Sequence, residues 1–302
     1  MSVYHVPVMV NELLQYLVPK KGGVYVDATF GGGGHTTAIL RAAPESTVIA
    51  FDWDPKAFEL NAHAIEEAFP GQLQAVKKSF SHVARELHVR KIAQVDGIVA
   101  DFGTSQYQLR HAPGFSFHTD SLLDMRMSPG TSQITAADII QRSSEQELGH
   151  IFWTYGGEIH ARQIARALVR ARTHIKIKTT QQLARIVAEV IAPTYGKIAK
   201  KRIAIHPATK VFQALRIVVN RECEEIEHFL KQAFSVLKPG GRLVCITFHS
   251  LEDRLVKQYL RGHPSLCVEL TRKVVYPAAQ EIEHNPSARS AKLRAGEKAR
   301  TI

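Results

Sequence analysis

The chain has 302 residues, 45% of them hydrophobic, with a formal net charge of +11; it can bury a sizeable core and exceeds the usual span of one compact domain. No stretch approaches the ~20 apolar residues that a membrane span needs, and "MSVYHVPVMV" lacks the regions of a secretory signal, so a cytoplasmic protein with no membrane partner is expected. Cys223, Cys245 and Cys267 are too few and too widely spaced for a disulfide framework or a zinc site, and no His pair stands in a helical ligand motif, so no metal is expected and the thiols are expected to be buried.

The first element signal is "VYVDATFGGGGHTTAIL" at 24 to 40: an apolar run ending in Asp27, then glycines, then an amphipathic stretch. It reads as strand, tight loop and helix start, the layout of a nucleotide site. Further strand signals are "TVIAFD" at 47 to 52, "LQAVKKSF" at 73 to 80 and "VDGIVADF" at 95 to 102. Helical patterns separate them: "TTAILRAA", "PKAFELNAHAIEEAF" and "SHVARELHVRKI". This alternation predicts an α/β fold with a parallel, doubly wound sheet.

From about 109 to 205 the pattern turns to loop and helix, entered through "HAPGFSFHTDSLLDMRMSPG". One helix is then expected from about 208 to the Pro239, Gly240, Gly241 stop, before a strand "GRLVCITF" at 241 to 248. The expected organisation is a discontinuous core, 1–108 and 206–302, with a helical insertion at 109–205 over the carboxyl edge of the sheet. The last 18 residues, "NPSARSAKLRAGEKARTI", look like a basic tail.

Charge is concentrated in this region. Between Ile159 and Arg221 there are 14 Lys/Arg and one acid, Glu189, whereas the rest of the chain has 25 Lys/Arg against 27 Asp/Glu. A solvated helical face normally mixes signs. A polyanion-binding surface is the favoured reading, with nucleic acid the leading partner.

The glycine loop narrows the cofactor. A phosphate-binding loop needs Gly-Lys-Ser/Thr, but His35 and Thr36 follow Gly34. The dinucleotide pattern GxGxxG fails at Thr36, which disfavours a nicotinamide oxidoreductase. What remains is a nucleoside without pyrophosphate whose carboxylate sits on the helix start; S-adenosylmethionine is such a ligand. Asp52, eighteen residues past Gly34, can accept hydrogen bonds from ribose hydroxyls. Asp27 and Asp101 end the first and fourth strands, where carboxylates can hold an ammonium and ease a sulfonium charge. One such Asp reads equally well as a turn former; three at strand ends favour function. The "LKPGGRLVCITF" segment is also what such methyltransferases show before their last strands.

The segments "HVPVMVNE", "DATFGGGGHT", "GFSF", "LDMRM", "HPATKVFQALRIVVN", "GGRLVCITFHSLEDRLVK" and "NPSARSAKLR" run nearly end to end. In them the chain closely resembles the bacterial ribosomal RNA small subunit methyltransferase H family. The resemblance implies a class I, Rossmann-like S-adenosylmethionine-dependent methyltransferase with a helical insertion, acting on N4 of a cytidine in the decoding centre of 16S rRNA in the small ribosomal subunit. It assigns cofactor contacts to Gly33, Gly34, His35 and Asp52, places Phe80 near the adenine, and has Asp101 and Gln108 close the site. For Phe80 a plain core aromatic is an equal reading.

The pocket wall is expected from "LDMRM" with Asp124 and Arg126, "HPATK" with His206, and "FHSLED" with His249, Ser250, Glu252 and Asp253. Ser, His and Asp adjacent in that last motif do not make a hydrolase triad, which is defined by geometry. No general base is assigned. The chain departs from the family at Gln106 and Tyr107, where Ser-Pro is usual, and at Pro113 and Lys210, where Arg is usual. It also has Gly157 where Glu is usual and Ser287 in place of Arg. These departures motivate an alternative: a diverged S-adenosylmethionine-binding assembly factor with weak or retargeted activity.

Overall fold

The computed structural model describes residues 7–128, 133–198 and 206–300. The chain divides into two compact units, 106–222 and the remainder.

The first unit begins with α1 (Val10–Leu17), β1 (Val24–Asp27), α2 (Gly34–Ala42), β2 (Thr47–Phe51), α3 (Pro55–Ala68), β3 (Leu73–Val76), α4 (Val83–Val89) and β4 (Val95–Asp101). Its first four strands are parallel. Alternate residues feed two apolar layers, as a period of two requires: Val26, Ile49 and Ile98 enter one, Tyr25, Val48 and Val99 the other. Sequence-local devices set helix starts, as at α3, where Asp54 accepts from the Lys56 amide ahead of Pro55. The strand expected at 73 to 80 stops at Val76, and Phe80–His82 form a short 3-10 turn into α4.

The second unit holds α5 (Gln106–His111), α6 (Ala136–Arg142), α7 (Glu145–Thr154), α8 (Ala161–Arg172), α9 (Thr180–Ile198) and α10 (Thr209–Asn220). Thr135 with Asp138, and Ser144 with Glu147, form capping boxes that start α6 and α7. Phe152, Ile164, Leu168, Leu183, Phe212 and Leu215 are buried in one cluster. This unit is wider than the expected 109–205 because the apolar face of α10 packs into that cluster.

The remaining elements are α11 (Glu222–Val236), β5 (Leu237–Thr247), α12 (Ser250–Gly262), β6 (Cys267–Glu269), α13 (Ala279–His284) and β7 (Lys292–Lys298). The single helix expected across 208 to 236 is two helices. Arg221 between them is left-handed, at φ 51°. Phe212 and Leu215 before the break belong to the second unit's core, and Phe229 and Phe234 after it belong to the first unit's.

The expected basic tail is instead part of the sheet. The order is β3-β2-β1-β4-β5-β7-β6, with β7 antiparallel between β5 and β6. Leu293 and Ala295 are fully buried, and Arg294 between them is buried because Asp253 accepts from its Nε and Nη2 at 2.6 and 3.2 Å. Alternation of apolar residues with cations made this strand resemble a solvated tail. The architecture is Rossmann-like, and strand order reverses between β1 and β4, where α/β sheets of this kind bind ligands beyond their carboxyl ends. Cys245 and Cys267 are buried thiols; Cys223 is half-buried.

Candidate functional site

The carboxyl ends of β1, β2 and β4 present Asp27, Asp52 and Asp101. The loop after β1 turns through Gly33, which is left-handed at φ 71° and whose added Cβ would lie 2.4 Å from Ile65. An added Cβ at Gly34 would meet Pro7 at 2.7 Å. These glycines therefore let the loop pack tightly against its own scaffold as well as approach a ligand.

Asp52 ties the loop to β2: its two oxygens accept from the Gly31 and Asp54 amides, each at 2.9 Å. Asn61 on α3 completes the hold by donating to the Gly31 carbonyl at 3.1 Å. Each Asp52 oxygen keeps a lone pair for a second donor, such as a ribose hydroxyl.

Asp27 is fully buried under α2. Thr36 donates from Oγ1 to one of its oxygens at 2.7 Å, and the Thr29 amide donates to the other at 3.1 Å. Asp27 thus anchors the helix start, rather than standing open to a ligand ammonium as its strand-end position suggested. Thr29 also links the strands, because its Oγ1 accepts from the Asp101 amide at 2.7 Å.

Asp101 differs from both. Its Oδ1 is buried and has no hydrogen-bond partner among the described residues, and its Oδ2 lies 4.0 Å from His35 Nδ1. The His35 ring is buried, with Nε2 2.9 Å from the Val8 carbonyl, so Nε2–H is the donor there. Burial raises all three carboxyls, and Asp27 adds repulsion on the other two. Asp52 and Asp101 are each pushed up to about 7.

A cluster of buried carboxylates is electrostatically suited to a cationic ligand. The start of α2 has no side-chain cap, leaving first-turn amides for a carboxylate. S-adenosylmethionine, with a sulfonium, an ammonium and a carboxylate, fits that donor and acceptor set. Phe80 is half-buried and packs edge-on against Phe102, just past β4, with ring centroids 5.7 Å apart, and against Phe229 at 5.3 Å.

His249 and Ser250 stand after β5. His249 is the N-cap of α12, and Glu252 returns the contact by accepting from the Phe248 and His249 amides at 2.7 and 3.2 Å. Ser250 is exposed in the first turn. Asp253 is committed to Arg294, so these residues do not assemble a triad.

The other expected positions belong to the second unit. Gln108 is buried on α5. Asp124 and Arg126 form a two-bond pair, Nε to Oδ1 at 2.7 Å and Nη2 to Oδ2 at 2.8 Å, which lowers the Asp124 carboxyl. Between them Met125 is buried and left-handed at φ 63°. Asn220 holds this turn, donating to the Met125 carbonyl and accepting from the Met127 amide, both at 2.8 Å. His206 stacks on Phe117 with centroids 4.3 Å apart, and partial burial lowers its imidazole.

Sequence reading missed Thr29, Thr36, Asn61 and Asn220 as supports. "DATFGGGGHTT" holds both threonines beside the glycines, a signal for hydroxyls near the Asp27 carboxylate. Asn61 and Asn220 carry no local signal, since their partners are 30 and 95 residues away.

A family model described as the MraW methylase family matches residues 2–299. A protein named ribosomal RNA small subunit methyltransferase H from Thermomicrobium roseum is 45% identical, covering 99% of this chain and 94% of that relative. One of the same name from Bradyrhizobium diazoefficiens is 44% identical, covering 98% and 92%. A solved putative methyltransferase from Streptococcus mutans in complex with SAH overlays with a TM-score of 0.45 at 10% identity, covering 97% of this chain and 99% of that one.

Proposed function

Since the chain belongs to the MraW methylase family, we propose that it transfers a methyl group from S-adenosylmethionine to N4 of a cytidine in the decoding centre of 16S rRNA. The nearly end-to-end family match carries this reading. The partner is the small ribosomal subunit, and the compartment is the cytoplasm, where ribosomes assemble. Among the described residues no helix is long and apolar enough to cross a membrane.

When bound, S-adenosylmethionine supplies an electrophilic methyl on a sulfonium. The chain's part is to bind, align and exclude water. Asp52 would accept from the ribose hydroxyls, the first-turn amides of Gly34 and His35 would hold the carboxylate, and Phe80 would border the adenine. Asp101 would place negative charge beside the cationic end of the ligand. The target base leaves its stack to reach the methyl group; in the first unit His249 and Ser250, after β5, are proposed to meet it, and in the second unit Asp124, Arg126 and His206 are proposed RNA contacts. The amine loses a proton as the nitrogen accepts the methyl; water can take it, and no side chain is assigned as base.

The diverged assembly-factor reading rests on the departures. Two of these meet in space: Lys210 Nζ donates to the Gly157 carbonyl at 3.0 Å.

The test is nucleoside mass spectrometry of unmodified small subunits incubated with the protein and labelled S-adenosylmethionine, with naked 16S rRNA alongside. Labelled N4-methylcytidine on subunits is expected. Cofactor binding with no label on either RNA would overturn catalysis in favour of the assembly factor.

A further inference from the structure

The second unit carries 17 Lys/Arg against 8 Asp/Glu, but many of these cations are engaged. Arg172 donates to the Ile140 and Ser143 carbonyls, each at 2.6 Å. Arg216 pairs with Glu222, and Lys210 holds Gly157.

The cations of α8 are arranged differently. Arg162, Arg166 and Arg170 are exposed at intervals of four, on one face of the helix. Arg162 and Arg170 make no ion pair among the described residues, and Arg166 has only an exposed contact with Glu145 at 3.2 Å, which is weak. Steps of four residues space these guanidiniums by about 6 Å along the axis, close to the spacing of successive phosphates on an RNA strand.

An aromatic adjoins the start of this ladder. Gly149 on α7 faces Arg162 and Ala165, which sets the two helices side by side. One turn on, Trp153 is 62% exposed, and its carbonyl accepts from the Gly157 amide in the link to α8. Ile159 in the same link is 71% exposed. The nearby acid, Glu158, is buried, with its side chain accepting from the His160 amide. An exposed indole at the end of α7, one turn from the residue that faces Arg162, together with the exposed arginines of α8, is the combination that holds unpaired nucleotides: bases stack on the ring while phosphates meet the cations.

Resting on the rRNA reading above, we infer that the face formed by the end of α7 and the length of α8 binds an unpaired RNA segment. Arg162, Arg166 and Arg170 follow its phosphates and Trp153 stacks on a base.

The experiment uses the full chain, a labelled short oligouridine and a fully paired RNA hairpin, each titrated over a salt series. Arg162→Gln with Arg170→Gln is expected to weaken oligouridine binding about tenfold or more and to make the log–log salt slope shallower by about 1.4. Trp153→Ala is expected to cost about tenfold with little change in slope, and Trp153→Phe to restore most of it. A control removing equal charge on the first unit, Lys231→Gln with Lys273→Gln, is expected to leave both unchanged. The substituted side chains are exposed, and unchanged S-adenosylmethionine affinity checks that the variants are folded.

Wild-type affinity and slope in the α8 and Trp153 variants would overturn the inference, as would equal loss in the control or a preference for the paired hairpin. Methylation of small subunits is read in parallel. Wild-type labelling with unchanged variant binding sinks only this face; absent labelling with the expected binding losses sinks the enzymatic reading and leaves the face.

Discussion

His35 Nδ1 lies 4.0 Å from Asp101 Oδ2, and the Val8 carbonyl fixes the other nitrogen of the ring at 2.9 Å. The ring is therefore oriented towards a carboxylate whose second oxygen, Oδ1, has no partner among the described residues. Asp101 combines a rigid setting with unused acceptor capacity, which distinguishes it from Asp27.

Asp52 and Asp101 are raised to about 7, so the folded chain holds more protons than the unfolded chain between the usual carboxylate range and that value. Their contribution to ligand-free stability therefore falls as pH rises through the window. A cationic ligand favours the ionised forms. Affinity for S-adenosylmethionine should rise between about pH 5.5 and about 7.5 with release of protons. Calorimetry in buffers of different ionisation enthalpy measures that release. Asp101→Asn should weaken binding and reduce the release; an identical proton count would remove Asp101 from the linkage.

Thr36→Val deletes the hydroxyl that donates to Asp27 at 2.7 Å and keeps the side-chain shape. A buried carboxylate oxygen then loses its donor, at a cost of about 1–3 kcal/mol. The thermal midpoint should fall by several degrees, and cofactor affinity should drop as the start of α2 loosens. Thr36→Ser, which keeps the donor, should retain most of both. An unchanged midpoint in the valine variant would show that the contact adds nothing.

Asn220→Ala removes the clamp on the left-handed Met125 turn, including its contact to Met127. The loss should be about 2–4 kcal/mol in urea unfolding, because buried backbone groups lose their partners in a strained turn. Asn220→Asp should not rescue it, since the amide that donates to Met125 and Arg216 is gone. Stability equal to wild type in the alanine variant would mean that the turn holds without the clamp.

Deleting residues 291–302 should abolish folding of the first unit, because β7 pairs with both β5 and β6 and its Leu293 and Ala295 are buried. Removal would leave an apolar sheet edge, a route to aggregation. Circular dichroism and solubility measure this outcome. A soluble truncated chain with native spectra and wild-type cofactor affinity would show that the strand is dispensable.

The sequence by itself determined the strand and helix alternation to Asp101, the glycine loop, the carboxylates at strand ends and the concentration of charge. These are legible because periods of two and 3.6 residues, turn residues and composition act locally along the chain. Tertiary structure decided which carboxylate is satisfied: Asp27 by Thr36 and Thr29, Asp52 partly by loop amides, Asp101 least of all. It also decided that 292–298 is a strand, since pairing with β5 and the Asp253–Arg294 contact come from residues some 40 to 55 positions earlier. The break at Arg221 has the same origin. One amphipathic run serves two cores, and only the packing of Phe212 into one and Phe229 into the other requires the chain to turn between them.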